Sequence, residues 1–153
     1  MGRIISEVNK AYIAGLIDAD GAIMATIEKH NEKKFRFRVR VIIKITQSNP
    51  KILHWIQKVF LVGKIVKNRT TYDWLVKDQK DVSEAIKILI KYLKVKNKQA
   101  KIALKILNLK IISKNSLINI AKLADTLASF NVRSKNRRKN FAIKIEEVIP
   151  PND

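Results

Sequence analysis

In the stretch YIAGLIDADGAI, residues 12–23, two carboxylates arrive at the end of what reads as an apolar helix. Asp18 and Asp20 are separated by one alanine, Gly21 follows at once, and then an apolar alternation begins. The rest of the composition narrows the chemistry open to these acids. The chain has no cysteine, which removes thiol chemistry, disulfides and cysteine-ligated zinc. Its two histidines, His30 and His54, cannot build a zinc site without carboxylates placed beside them. Any metal held here is therefore a hard, oxygen-liganded one.

Acids are the minority in this chain. Lys and Arg number 32 against 13 Asp and Glu, a formal net charge of +19. Such a charge says nothing about fold; it costs self-repulsion and points to a polyanionic partner. Nucleic acid is the first candidate and an anionic membrane surface the second. No uncharged apolar run is long enough to span a bilayer. The start, MGRIISEVNKAY, lacks the apolar run and cleavage site of a signal peptide, and it is not an Arg- and Ser-rich presequence. A length of 153 residues suits one domain, 1–153, with a single core.

The elements that position the acids follow from periodicity. Ser6 is an N-cap with Glu7 in the first turn, and the helix runs to about Ala19. On the helical wheel Ala11, Ala14, Gly15, Asp18 and Ala19 fall on one half, and Tyr12, Ile13, Leu16 and Ile17 on the other. The large side packs into a core; the small side lets another backbone come close. Gly21 is expected to end the helix in a left-handed conformation. The period then switches to 2. Ile23, Ala25 and Ile27 share one strand face, and a turn at 31–33 leads to a strand over 34–46. There Phe35, Phe37, Val39, Val41, Ile43 and Ile45 oppose Lys34, Arg36, Arg38, Arg40 and Lys44. Asn49 and Pro50 open a helix that ends near Gly63, and a shorter hairpin turns at 69–70. Helices follow at 81–93 with Asp81 as cap, at 97–112 and at 116–130, with a last short one from Phe141. The order is that of an α+β fold with one antiparallel sheet.

The residues 13–21, IAGLIDADG, differ only at Ile13 from the signature of the LAGLIDADG homing endonucleases, which the chain resembles. The order α-β-β-α-β-β-α is similar too. ITQSNPK at 45–51 and LKVKNKQA at 93–100 resemble later blocks of the single-motif, intron-encoded members, and SKNRRKN at 134–140 resembles their basic C-terminal loop. The resemblance covers about 6–140.

The resemblance implies a saddle-shaped sheet, C-terminal helices, and a homodimer formed through the signature helices by Ala11, Ala14, Gly15, Asp18 and Ala19. Each helix would then deliver Asp20 to a shared cleft. It implies that Asp20, with the Ala19 carbonyl, holds Mg²⁺ (Mn²⁺ or Ca²⁺ in the same sites), while Asp18 is structural. Gln47, Lys51 and Lys96 would surround that site and order water at the scissile phosphate, a task that suits a compact ammonium. Lys51 stands where many relatives carry arginine, and Ala19 where many carry glycine.

The even-numbered face of the first hairpin, with Met24, Thr26, Glu28, His30, Arg38, Arg40 and Lys44, is the expected DNA-reading surface. A twisted ribbon fits a major groove, where Arg and Lys can pair with guanine and Glu can accept from cytosine. A mixture of Thr, Glu, His and Arg can read bases where lysine alone would read phosphate. Asn68, Asp73 and Leu75 join it by resemblance, and Lys135, Arg137, Arg138 and Lys139 form a phosphate clamp. The implied protein is a homing endonuclease that cuts a long pseudo-palindromic double-stranded DNA. It needs no membrane and no small-molecule cofactor, and acts in an organelle or the archaeal cytoplasm where its intron is encoded. Two other readings use the same scaffold: an intron RNA-splicing maturase and a DNA-binding regulator that does not cut.

Overall fold

The computed structural model describes residues 4–131 and 141–148. Helix α1 spans Glu7–Asp20, and the Ser6 hydroxyl accepts the Asn9 N–H at 3.2 Å, the capping bond read from the sequence. Gly21 does not take a left-handed conformation. Its φ of −106° and ψ of 179° are extended, so strand β1, Gly21–Lys29, begins without a linker. Glycine is needed here for space. A Cβ would lie 2.7 Å from Ile17 Cα and 2.9 Å from the Lys44 carbonyl oxygen.

Strand β2, Phe37–Gln47, starts three residues later than the alternation suggests. Arg36 has φ 61°, and the His30 N–H donates to its carbonyl at 2.7 Å, so Lys34–Arg36 belong to the turn. Helix α2 is Lys51–Phe60, and the Asn49 side chain accepts the Lys51 N–H at 3.0 Å. It ends at Leu61, which is left-handed, with Gly63 two residues beyond. Strands β3, Lys64–Asn68, and β4, Thr71–Val76, form the second hairpin around Arg69. Helix α3, Gln79–Leu89, is capped by Asp78, whose carboxylate accepts the Asp81 N–H at 3.0 Å; Asp81 itself lies in the first turn. A 3₁₀ turn at Ile90–Tyr92 follows, then α4 at Asn97–Asn108, α5 at Lys114–Asn131 and α6 at Phe141–Val148.

The four strands form one antiparallel sheet in the order β1-β2-β4-β3. The chain divides into two compact units. One holds the residues up to Ile23 with Ile42–Lys101. In its core Ile13, Ile17, Ile43, Ile45, Leu53, Phe60, Trp74 and Ile86 are buried, and the Trp74 indole donates to the Val62 carbonyl at 3.0 Å. Helix α1 packs here on α3 and the 3₁₀ turn.

The other unit holds Met24–Val41 and the residues from Ile102 on. Phe37, Leu117, Ala121, Ala142 and Ile145 are its core, flanked by Ile27, Phe35 and Val39. The Asp125 carboxylate on α5 accepts the N–H groups of Phe141 and Ala142 at 2.6 and 3.1 Å. Asp125 thereby satisfies two of the free donors at the start of α6.

Candidate active site and nucleic-acid interface

The two acids at the end of α1 have different surroundings. The Asp18 carboxylate accepts the Lys94 N–H at 2.8 Å on one oxygen and the Lys96 N–H at 2.9 Å on the other. The Lys96 ammonium donates to the Asp18 carbonyl at 2.7 Å. The Lys96 ammonium thus reaches the end of α1.

Among the described residues Asp20 has a single neutral donor: Gln47 Nε2, at the end of β2, donates to its Oδ2 at 2.8 Å. The close approach at Gly21 holds the start of β1 and the Lys44 carbonyl against the last turn of α1, which places Gln47 beside Asp20. A carboxylate at the C-terminal end of a helix faces the negative pole of the backbone dipole, and the last turn of α1 carries no basic residue. The Asp18 carboxylate is compensated by two backbone amides, with the Lys96 ammonium on the carbonyl of the same residue. The exposed Asp20 carboxylate faces only the neutral Gln47 amide among the described residues.

Ala19 is exposed next to it. Lys51 is exposed at the start of α2, and its ammonium has no protein partner among the described residues. No three His, Asp or Glu side chains among the described residues gather into a metal cage. Within one chain the groups that could hold a hard cation here are the Asp20 carboxylate and the main-chain oxygen of the exposed residue beside it, Ala19. This fits an ion that keeps several waters and completes its shell with phosphate.

In the first unit, β2 and β3 flank β4 in fixed register. Lys44, Leu75 and Lys64 form one row; Thr46, Asp73 and Val66 form the next. The intervening Ile43, Ile45, Trp74 and Val76 are buried, so these rows face the opposite way. Asp73 is only 6 % exposed, and its carboxylate accepts the Thr46 hydroxyl. Its contact here is with Thr46. The Asn68 carbonyl accepts the Thr71 hydroxyl at 3.2 Å at the hairpin end. Sequence reasoning misses Lys64 and Thr46 as members of this face; extending the parity of Lys44 by two residues finds Thr46.

In the second unit, Glu28 and Arg38 are paired. Arg38 Nε donates to Glu28 Oε2 at 2.8 Å, and Nη2 lies 2.8 Å from the same oxygen. Met24, Thr26, His30 and Arg40 are half-buried. The buried Thr26 hydroxyl oxygen and His30 Nδ1 have no hydrogen-bond partner among the described residues. Lys135, Arg137, Arg138 and Lys139 lie outside the described residues.

Two residues of α1 change sides from the wheel reading. Ala14 is fully buried at 0 %, because it lies next to the sector of Ile13 and Ile17. Tyr12 is 53 % exposed, with its ring edge-on to Trp55 at 5.7 Å. The open face of α1 consists of Val8, Ala11, Tyr12, Gly15 and Ala19, with Val8 78 % exposed. A Cβ on Gly15 would meet nothing within 4 Å.

A family model described as LAGLIDADG endonuclease matches residues 13–112. The chain is 27% identical over 132 residues to DNA endonuclease I-CreI of Chlamydomonas reinhardtii, covering 83% of this chain and 80% of that protein. It is 32% identical over 104 residues to DNA endonuclease I-CvuI of Chlorella vulgaris, covering 66% and 65%. A crystal structure of I-CvuI with the I-CreI target in 2 mM Mg, its DNA not cleaved, matches with a TM-score of 0.83 at 29% identity over 92% of each chain. A second, with I-CvuI on its own target in 2 mM Ca, matches at 0.81 with 29% identity, over 92% of this chain and 91% of that one. The archaeal intron-encoded homing endonuclease I-Vdi141I, solved with DNA, shares the fold at 0.80 and 22% identity, over 92% and 96%.

Proposed function

The chain belongs to the LAGLIDADG endonuclease family, and from that membership we infer that it cuts a long pseudo-palindromic double-stranded DNA as a Mg²⁺-dependent homodimer. It is a DNA endonuclease of the homing type; the dimer, the metal and the form of the target are the inference. The observation that carries it is Asp20, an acid at the adverse end of a helix dipole whose one partner among the described residues is the neutral Gln47. I-CvuI was solved on DNA with Mg and with Ca, which supports a divalent ion beside the phosphate.

The chemistry a divalent ion would supply there is activation of water and an offset to the charge that develops on the phosphate. Asp20 and the Ala19 carbonyl would be its ligands from each chain. Gln47 fixes the rotamer of Asp20 through its amide donor, which leaves the amide oxygen for water. Lys96, tied to the Asp18 carbonyl, holds a positive charge at the end of α1. Lys51 supplies a second, mobile ammonium for a phosphate oxygen.

The open face of α1 supports the homodimer. A helix that buries Ile13, Ala14 and Ile17 leaves Val8, Tyr12 and small residues to solvent. Gly15 is not required by the packing of its own chain, and a second α1 could approach closely there. Pairing about that face would bring two Asp20 residues together. The outward rows of Lys44, Thr46 and Lys64, and the hairpin residues Arg38 and Arg40, are the surfaces that would meet DNA.

Cleavage selection from a randomised double-stranded DNA library, with and without Mg²⁺, tests this reading. One long near-palindromic site cut only with metal is the expected result. DNA bound but never cut would overturn it and favour an RNA-splicing or regulatory role.

A further inference from the structure

We propose that Glu28 is a positioning residue that aims Arg38 at a guanine of the DNA target, and that Glu28 itself reads no base. This rests on the endonuclease reading above. The guanidinium is a planar fork with two edges that can each form a pair of parallel hydrogen bonds. The Nε–Nη2 edge of Arg38 is committed to a single Glu28 oxygen, at 2.8 Å for each nitrogen. Arg38 has no other partner among the described residues, so the Nη1–Nη2 edge stays open. That edge points along the side chain's long axis and matches the O6 and N7 acceptors of guanine in the major groove.

Charge decides between base and phosphate as the partner of Arg38. Both side chains are 38% exposed, and the Glu28 carboxylate offsets charge on the guanidinium it faces. An offset charge gains less from the phosphate backbone, whose attraction scales with the positive charges brought to it. A carboxylate on a surface that meets DNA would be repelled unless its charge were used nearby. Pairing Glu28 with Arg38 therefore lowers general affinity and fixes direction, which is the pattern of a specificity device. The half-buried setting also restricts the arginine, whose long side chain otherwise samples many rotamers. The cytosine contact that its residue type suggests for Glu28 gives way to this role, because one of its oxygens already carries two N–H groups.

The test is binding selection from a randomised double-stranded DNA library without Mg²⁺, so that cutting plays no part. It compares the wild type with Arg38→Ala, Glu28→Ala and Glu28→Gln. The wild type should prefer guanine at one position of each half-site, and Arg38→Ala should erase that preference alone. Glu28→Ala should weaken the same preference about tenfold, the scale of one lost bidentate contact, while other positions keep theirs. Glu28→Gln, whose amide oxygen still accepts, should keep most of it. If Glu28→Ala instead erases a cytosine preference at another position, or leaves the guanine untouched, the positioning role is wrong. It is equally wrong if Arg38→Ala weakens binding evenly across all sequences, as loss of a phosphate contact would. A wild type that selects no sequence at all would overturn the endonuclease reading itself, and this proposal with it.

Discussion

Asp18 and Lys96 are bound to each other twice: the Asp18 carboxylate accepts the Lys96 N–H at 2.9 Å, and the Lys96 ammonium donates to the Asp18 carbonyl at 2.7 Å. The other carboxylate oxygen takes the Lys94 N–H at 2.8 Å. The last turn of α1 is thus fastened to the segment that leads into α4. Asp18→Ala leaves those amides without their acceptor, at a cost of about 1–3 kcal/mol in stability. Asp18→Asn, with one acceptor left, should lose less. Urea denaturation of both variants measures the difference, and equal stability of the wild type and Asp18→Ala would refute the fastening role.

Gly21 makes a separate prediction about space. Its backbone is extended and open to any residue, so the cost of Gly21→Ala comes only from the Cβ meeting Ile17 Cα and the Lys44 carbonyl. Overpacking of this kind costs about 1–3 kcal/mol. The strand pair must move away from the helix end, carrying Gln47 from Asp20. The melting temperature should fall, and cleavage should fall further than stability alone accounts for. A variant that melts and cuts like the wild type would show that the approach is loose.

Gly15 is the opposite case. A Cβ there meets open space within the chain, and removing a helix-interior glycine gains about 0.5–1 kcal/mol. Gly15→Arg should therefore fold as stably as the wild type and yet fail to dimerise. Sedimentation velocity on the two proteins reads this directly. A Gly15→Arg protein that sediments as the wild type does would remove α1 from the interface.

Thr46 and Asp73 form a pair across β2 and β4 with the acid almost wholly buried. Thr46→Val removes the donor and leaves a buried carboxylate unsatisfied, at a cost of about 1–3 kcal/mol. Adding Asp73→Val to it should recover part of that loss, since two apolar groups leave nothing unpaired. A double-mutant cycle with no coupling would mean that Asp73 is held by water instead.

Local rules find most elements because their causes are local. The Ser6 cap, the alternation of β1 and the turn at Arg69 lie within a few residues of the features that encode them. The alternation starts strand β2 too early because Lys34–Arg36 continue its parity, and nothing in the residue types marks Arg36 as left-handed. Asp78 and Asp81 are both plausible caps for α3, and only the bond between them decides. The candidate site is legible as a motif and opaque as geometry. The partners of Asp18 lie 76 and 78 residues downstream, and Gln47 lies 27 residues from Asp20. The constraint on Gly21 comes from Lys44, on another strand. The pairing of Glu28 with Arg38 is similarly hidden, because alternation places side chains on a face without saying which of them bond.

The role of Asp20 is tested by comparing wild type and Asp20→Asn on the selected DNA site, measuring binding and single-turnover cleavage across a Mg²⁺ titration. The substitution keeps the size of the side chain, so binding of DNA should be retained. Cleavage should be lost at every Mg²⁺ concentration, because an amide oxygen is a poor substitute for a carboxylate at a hard cation. An Asp20→Asn protein that cuts at the wild-type rate with Mg²⁺ would show that Asp20 does not hold the catalytic cation.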